Sequence, residues 1–447
     1  MSAAKNLFAN LRQRFDFLAK ERGVIVNTFW LVGDKVLRLA IGLFVGIWVA
    51  RYLGPEQFGL LNYAISFVGL FGSLASLGLD GVVVRRLTVS NQDAMPILGS
   101  AFALKLIGGM TAFVFAVFGS WLLRPTDLQF HWFVGIISLG MLLQAFDVVD
   151  FWFQSQVQSR NVVLAKNTAF LSLAAAKIWL ISIGAALSAF VWAVPAEILL
   201  GAMGLVFRYQ FRCREKIGHW QFNWSKAIQL LAEAYPLFFS SVAVAIYMRI
   251  DQILLGQMIG ERAVGIYAAA VRISEMWYFI PLPLASSFAP SIAQARTVNV
   301  AAYKQRLQLV CNLLAKMAIW IAIPVTFCAD WIIALLYGPA YMGAGTILSI
   351  HIWAAIFVFL GVASNTWLIN EGLTRFSFVA TLLGSLLNIA LNYWLIPQIG
   401  IVGSAIATIF SQMVASYLVF GLFAVTRPLF YIQTKSIRRA LFPFGTP

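Results

Sequence analysis

Twelve apolar runs, each long enough to cross a lipid bilayer, recur along this chain of 447 residues. A helix needs about 20 apolar residues to cross roughly 30 Å of hydrocarbon, and its backbone hydrogen bonds must be made within the helix because lipid offers none. The sequence therefore predicts an all-α polytopic membrane protein, and a composition that is 61% hydrophobic and 11% charged agrees with this class. The predicted spans are 25–50, 59–80, 97–123, 131–154, 162–185, 187–207, 229–257, 263–287, 307–329, 344–369, 376–397 and 400–425.

The Lys and Arg residues outside these spans are distributed very unequally between the two sides of the membrane. Alternating loops place 21 of them on the side of the N-terminus and only 3 on the other side. Because basic loops are retained in the cytoplasm, both termini are expected to be cytoplasmic. The same bias explains most of the net charge of +15, so membrane lipids rather than nucleic acid are the expected partners of this charge.

An internal repeat relates the two halves of the chain. At an offset of about 206 residues, ARYLGPEQFGLLNYA (50–64) aligns with GQMIGERAVGIYAAA (256–270). This alignment places Gly54 on Gly260 and Gly59 on Gly265. It predicts two six-helix lobes related by a pseudo-two-fold axis along the membrane normal, and chance similarity among Gly- and Ala-rich apolar segments is the alternative explanation.

The predicted spans and the repeat together divide the chain into five parts. The first part is amphipathic because large apolar residues alternate with basic ones at helical spacing in residues 5–20. The five parts are a cytoplasmic amphipathic N-terminus (1–24), an N-lobe with helices 1–6 (25–207), a basic cytoplasmic linker (208–228), a C-lobe with helices 7–12 (229–425) and a basic cytoplasmic tail (426–447).

Eight cationic side chains lie inside the predicted spans, where a Lys or Arg near the bilayer centre costs about 2.5–3.5 kcal/mol. They are Lys35, Arg38, Lys105, Lys166, Lys177, Arg249, Arg272 and Lys316. Such residues indicate an anionic cargo, an internal counter-charge or a water-filled cavity. Structural ion pairing is the alternative for each of them, because seven acids also lie in the spans: Asp34, Asp147, Asp150, Glu197, Glu233, Asp251 and Glu275.

Helical spacing predicts which of these charges are neighbours. Asp34 and Arg38 are four residues apart and can pair on one helix face. Lys166 and Lys177 are eleven residues apart, about three helical turns, so they lie along one stripe. Two further cations are expected to be structural or peripheral: Arg249 pairing with Asp251 or Glu233, and Lys316 reaching the interface or a cavity edge.

Three segments carry a family resemblance. The segment ARYLGPEQFGLLNYAISFVGLFGSLASLGLD (50–80) resembles the start of bacterial polysaccharide transporters of the O-antigen flippase type, in the multidrug/oligosaccharidyl-lipid/polysaccharide exporter superfamily. Residues 267–294 and 391–412 are similar to later parts of the same superfamily, so the resemblance extends over about 24–425. It implies two six-helix lobes around a central cavity, alternating access, and an undecaprenyl-diphosphate-linked oligosaccharide as the cargo.

A cargo of this kind needs fixed cations for its diphosphate. The residues predicted to bind the diphosphate or glycan are Lys35, Arg38, Lys166, Lys177 and Arg272. A coupling H+ or Na+ is assigned to Asp34, Asp147, Asp150 and Glu275. Asp147 and Asp150 are three residues apart, and two close carboxylates raise each other's affinity for a cation. No catalytic residue, metal ligand or cofactor is predicted, and the absence of a G-K-[ST] phosphate loop favours secondary transport over nucleotide hydrolysis.

The resemblance also implies a location and partners: the bacterial cytoplasmic (inner) membrane, with polysaccharide polymerase or chain-length proteins nearby. Three other functions stay open. A peptidoglycan-precursor flippase would have a similar cationic cavity, and a multidrug exporter of the same superfamily would favour an acidic one. A membrane polymerase or ligase would carry a large external loop, whereas the outer loops here are short.

Overall fold

The computed structural model contains helices and turns, and no strand, in the residues that it describes. These are residues 2–89, 93–213 and 216–441, with the backbone alone described for 2–32 and 298. The predicted all-α class is confirmed. The predicted amphipathic surface of residues 1–24 depends on side chains that lie outside the described part of the structure. The helices are α1 (Ser2–Leu70), α2 (Gly72–Ser76), α3 (Asp80–Val89), α4 (Ala94–Leu123), α5 (Leu128–Leu143), α6 (Asp147–Ser155), α7 (Ser159–Ser182), α8 (Leu187–Arg212), α9 (Trp224–Met258), α10 (Glu261–Glu275), α11 (Pro281–Val298), α12 (Val300–Leu336), α13 (Ala344–His351), α14 (Ala354–Asn370), α15 (Thr374–Ile399), α16 (Ile401–Met413), α17 (Val419–Leu422) and α18 (Arg427–Leu441).

Ten helical stretches in the described part of the chain are long and apolar enough to cross a membrane. The first of them, Gly33–Leu70, runs through the first two predicted spans. The eighth predicted span (263–287) is divided, because α10 ends at Glu275, a 3-10 turn follows, and α11 begins at Pro281. Merging one pair of spans and interrupting another accounts for ten stretches where twelve spans are predicted. The chain is a multi-pass membrane protein.

Two glycines that the repeat aligns occupy the same kind of position. Gly54 has φ 69° and interrupts α1, and Gly260 has φ 120° and precedes α10. Residues other than glycine rarely adopt such φ values. Pro55 follows Gly54 at the start of the next helical segment, where its missing N–H is not needed. The equivalent junctions agree with the repeat predicted from the sequence.

The contacts of the chain divide it into two compact units. Unit 1 consists of Met1–Gly46 and Phe71–Phe238, and unit 2 of Ile47–Leu70 and Phe239–Pro447. Helices α1 and α9 therefore each contribute residues to both units. The lobe boundaries stated above stay predictions.

The core of unit 1 packs α3, α4 and α6 against the first turns of α9. Leu98, Val148 and Leu230 are buried there. The end of the predicted linker is fastened to α4, because the Oγ of Ser100 and the backbone of Asn223 exchange two hydrogen bonds of 3.0 Å. Unit 1 thus holds the segment that leads into α9.

The core of unit 2 includes the C-terminal helix. Leu314 of α12, Phe359 of α14 and Leu429 of α18 are fully buried in one cluster. The Nε2 of Gln433 donates to the Oγ of Ser364 at 2.7 Å. Part of the predicted basic tail is therefore a packed helix, and its Leu429 belongs to the core.

Candidate functional site

A break in the predicted fourth span places two carboxylates at the start of a short helix. Helix α5 ends at Leu143, residues Gln144–Phe146 form a 3-10 turn, and α6 begins at Asp147. Asp147 and Asp150 occupy the first turn of α6, where the helix dipole favours negative charge. Turns of this tighter kind inside a helical span are often found at functional positions.

Lys166 of α7 lies between these two carboxylates. Its Nζ donates to Oδ1 of Asp147 at 3.1 Å and to Oδ2 of Asp150 at 2.6 Å. The remaining oxygen of Asp150 accepts a hydrogen bond of 2.8 Å from Nε2 of Gln154. The side chain of Asp150 is only 9% exposed, so the pair with Lys166 is partly removed from solvent.

Arg38 of α1 contributes a second cation to the same region of unit 1. Its Nε donates to Oδ1 of Asp34 at 2.8 Å, which confirms the predicted pair. Its guanidinium lies 5.1 Å from the ring centre of Phe170, a cation–π contact. Its Nη2 is buried and has no hydrogen-bond acceptor among the described residues, so Arg38 keeps a donor available for a ligand.

Two cavities in unit 1 bring these charges together. One of about 260 Å³ and another of about 500 Å³ share Asp147 and Lys166 in their walls. The further polar residues of the first are Arg38, Gln144 and Glu197, and those of the second are Asp80, Arg85, Asp150 and Gln154. Lys166 is thus reached from two sides.

Lys177 lies behind the wall of the first cavity, in contact with a residue that lines it. Its Nζ is 3.5 Å from a carboxylate oxygen of Glu197, and Glu197 lines the cavity wall. The structure therefore brings together Arg38, Lys166 and Lys177 of the predicted cargo-binding residues, with the four acids that pair with them nearby. The exposed Lys35 is on α1 beside Arg38, outside the walls of both cavities as described.

The predicted Arg272 and Glu275 lie on α10 and belong to unit 2. Arg272 is exposed, and the nearby charges of Glu275 are Arg249 and Asp251. Their roles in cargo and ion binding stay predictions. Lys316, also in unit 2, is exposed.

The ion pairs of Glu233 and Lys105 are not among those predicted from helical spacing. The expected pairing of Arg249 with Glu233 is wrong, because Glu233 accepts hydrogen bonds from Arg85 and Arg86 of α3. Lys105 is 2% exposed and lies 3.2 Å from Asp80 and 4.8 Å from the ring centre of Phe151. Both pairs join residues far apart in sequence, so spacing along one helix does not reveal them.

Asp251 forms a buried polar cluster in unit 2 that the sequence did not single out. Its carboxylate accepts hydrogen bonds from Tyr267 at 2.7 Å, Asn392 at 2.8 Å and Thr408 at 2.6 Å. The alternative partner expected for Arg249 is therefore surrounded by neutral donors from three helices. Polar residues at four-residue spacing in the last two predicted spans, such as Asn388 and Asn392, are the signal that could have indicated this cluster.

The comparisons with known families identify the chain. Residues 24–296 match the model of a family described as polysaccharide biosynthesis protein. The chain belongs to this family. Residues 236–394 also match the MatE family model, and the family resemblance predicted from the sequence is confirmed.

One relative and two solved structures add detail. The probable flippase AglR of Haloferax volcanii is 25% identical over 410 residues, which are 86% of this chain and 80% of AglR. An inward-facing multidrug resistance MATE family transporter of the MOP superfamily superposes with a TM-score of 0.73 at 15% identity, covering 91% of this chain and 96% of that one. Lipid II flippase MurJ in an inward closed conformation gives 0.72 at 14% identity, covering 95% and 94%. At these identities the two structures establish the fold alone.

Proposed function

We propose that this member of the polysaccharide biosynthesis family is a flippase. Its cargo is a polyprenyl (undecaprenyl) diphosphate-linked oligosaccharide, which it moves from the inner to the outer leaflet of the bacterial cytoplasmic membrane for surface polysaccharide or O-antigen synthesis. The description of the relative AglR as a probable flippase supports the transport step. The observation that carries the proposal is the cavity of unit 1, whose wall contains both Arg38 and Lys166.

The two cations of this cavity suit the two parts of a diphosphate. Arg presents a planar fork of donors to phosphate oxygens, whereas Lys is a flexible point charge. Arg38 has a buried Nη2 without a protein acceptor, and Lys166 is reached from both cavities. Lys177, Lys35 and Arg272 are further proposed contacts along the path of the cargo.

The carboxylates and amides of the same walls suit a glycan. Small-molecule pockets are about 300–1,000 Å³ in volume. The cavity of about 500 Å³ falls within this range and the one of about 260 Å³ just below it, so together they have room for part of a lipid-linked oligosaccharide. Glu197 and Asp150 present acceptors to sugar hydroxyls, and Gln144 and Gln154 present both donors and acceptors. A site with both signs of charge fits a cargo that combines a diphosphate with hydroxyl groups.

The rival functions differ in their cargo, by its charge for a drug exporter and by its glycan for a peptidoglycan-precursor flippase. An exporter of cationic drugs needs carboxylates that are free to meet the drug, whereas Asp147, Asp150 and Glu197 each have a Lys partner. A peptidoglycan-precursor flippase transports the same diphosphate on a different glycan. The fold does not choose between these functions, since a multidrug transporter and MurJ superpose almost equally well.

The transport proposed here involves no covalent chemistry and proceeds by alternating access. Both termini face the cytoplasm in this proposal, because the basic loops share their side. Polysaccharide polymerase and chain-length proteins are the proposed protein partners, since they act on the transported oligosaccharide in the outer leaflet.

Reconstituted vesicles test the function directly. We expect protein-dependent transfer of lipid-linked oligosaccharide between leaflets, no lengthening of the glycan, and no transport of a cationic dye. The variants Arg38→Ala and Lys166→Ala should reduce transfer at least about tenfold, the ratio that corresponds to losing roughly 1.4 kcal/mol of binding. The matched controls Arg427→Ala and Lys316→Ala change exposed cations outside the cavity and should retain transfer.

Three results would contradict the proposal. Chain lengthening would indicate a polymerase, and transport of the dye alone would indicate a drug exporter. Transfer of a peptidoglycan precursor in preference to other lipid-linked glycans would replace the proposed cargo by that precursor.

A further inference from the structure

The ammonium group of Lys166 is bound by the protein's own acids in the place where an anionic cargo would meet it. Asp147 and Asp150 hold it at 3.1 and 2.6 Å. The same ammonium lines both cavities of unit 1. A diphosphate that enters either cavity therefore competes with these two carboxylates for one cation.

We propose that the cargo diphosphate displaces Asp147 and Asp150 from Lys166, and that the two released carboxylates then take up a monovalent cation, H+ or Na+. This exchange rests on the proposed function, because it requires an anionic cargo. It assigns Lys166 as the residue that links cargo binding to cation binding. Transport of the cargo would then be coupled to an ion gradient through a single side chain.

The charges of the site explain why the released carboxylates need a cation. Asp147 and Asp150 are three residues apart on one helix turn, and both reach the same nitrogen of Lys166. Two like charges this close raise each other's affinity for a cation, and burial strengthens the effect because water screens them less. Asp150 is 9% exposed. When Lys166 turns to phosphate, a proton or sodium ion can replace its charge.

Other charged groups in the walls of the two cavities have ion-pair partners of their own. Arg38, Asp80, Arg85 and Glu197 lie on α1, α3 and α8, and their partners lie on α1, α4, α7 and α9. Each of these charges is paired with a residue other than Asp147 or Asp150, and Arg85 shares Glu233 with Arg86, so the exchange leaves the two carboxylates without the cation that pairs with them. These pairs are Arg38 with Asp34, Glu197 with Lys177, Arg85 with Glu233, and Asp80 with Lys105.

The linkage is reciprocal by thermodynamic necessity. If bound diphosphate raises the affinity of the acid pair for a cation, that cation raises the affinity for diphosphate by the same factor. The affinity for a diphosphate should therefore increase as the concentration of H+ or Na+ increases. At full coupling of one cation, a tenfold rise in its concentration tightens binding about tenfold.

Inorganic pyrophosphate is the probe for this exchange, used with the full chain in lipid nanodiscs. Calorimetric titrations in two buffers of different ionisation heat count the protons taken up on binding, and a parallel series varies Na+ at constant ionic strength. We expect uptake of about one proton, or a dependence on Na+, in the wild type. The series that shows the dependence identifies the cation.

Variants of the three residues separate the exchange from simple charge attraction. The double variant Asp147→Asn with Asp150→Asn should lose the cation dependence and bind pyrophosphate about tenfold more tightly, because neutral amides compete less for Lys166. Lys166→Gln should weaken binding, and Lys166→Arg should retain both binding and linkage. The matched control Asp93→Asn removes the carboxylate that pairs with Lys226 at 2.6 Å outside both cavities, and should leave affinity and linkage unchanged.

The exchange is overturned if pyrophosphate does not bind, if the wild type binds it without uptake of either cation, or if the double Asn variant keeps the linkage. Each of these results leaves the flippase function intact provided that the vesicles still show protein-dependent transfer. Conversely, intact linkage without any leaflet transfer would reject the proposed function and retain the exchange.

Discussion

Gly59 and Gly265 allow two helices of unit 2 to touch through their backbones. A methyl group at 59 would overlap the carbonyl oxygen of Glu261 and lie 2.9 Å from the amide nitrogen of Gly265. A methyl group at 265 would overlap the carbonyl oxygen of Pro55 and lie 3.1 Å from the nitrogen of Gly59. Because backbone atoms cannot rotate away as side chains do, either Gly→Ala change must push the helices apart.

The magnitude follows from two opposing effects. Overpacking a close contact costs about 1–3 kcal/mol, and we expect the upper part of this range because backbone is displaced. Replacing Gly by Ala inside a helix returns up to about 1 kcal/mol. The net loss is therefore about 1–2 kcal/mol for Gly59→Ala and for Gly265→Ala. The double variant should lose about as much as one single variant, because the first methyl already separates the helices for the second.

Titration with a denaturing detergent in mixed micelles unfolds the protein and measures these differences in the free energy of unfolding. The matched control is Gly135→Ala in α5, where an added methyl meets nothing within 4 Å. It should be neutral or slightly stabilising. If Gly59→Ala is as stable as this control, or if the two single losses simply add in the double variant, the shared backbone contact is not what limits the packing there.

Three further predictions concern side chains in both units. Asp80→Asn should lower the free energy of unfolding by about 1–3 kcal/mol, because it leaves the buried ammonium of Lys105 without its counter-charge. Lys105→Met should cost less because it removes that charge, and detergent titration of both variants checks this order, which the reverse result would contradict. Thr408→Val keeps the volume but removes a donor to Asp251, and a loss of about 1–2 kcal/mol is expected in the same assay; an unchanged midpoint would mean that this hydrogen bond has no net effect. Leu429→Ala opens a cavity beneath α18 and should destabilise the packing of that helix by about 2–5 kcal/mol. Amide hydrogen exchange in α18 should become faster, and unchanged exchange would show that the packing of α18 does not depend on the Leu429 side chain.

Pairs within one helix were predictable from spacing, whereas pairs between helices were not. Asp34 and Arg38 are one turn apart, and their ion pair follows from α1 being a helix. Lys166 binds acids that precede it by 16 and 19 residues, across the turn between α6 and α7. The sequence singled out all three residues and assigned them separate roles, as cargo and ion ligands. Only the fold shows that they are in contact.

The expected partner of Glu233 illustrates the same limit. Arg249 lies further along the same helix, α9, but Arg85 and Arg86 reach Glu233 from α3. The polar cluster around Asp251 likewise draws its donors from α10, α15 and α16. Helical spacing identifies which residues share a face of one helix. It does not say which other helix that face meets.

The sequence by itself determined that this protein lies in a membrane, the class of its fold, most of its apolar spans and its family. These properties depend on local hydropathy, on the spacing of residues along one chain and on sequence motifs that can be recognised without a structure. Tertiary structure decided which charges meet: the position of Lys166 between Asp147 and Asp150, the buried donor of Arg38 and the cavities they share. The physical reason is that an ion pair between helices depends on how each helix is rotated and packed, and this is set by many small side-chain contacts distributed over the whole chain.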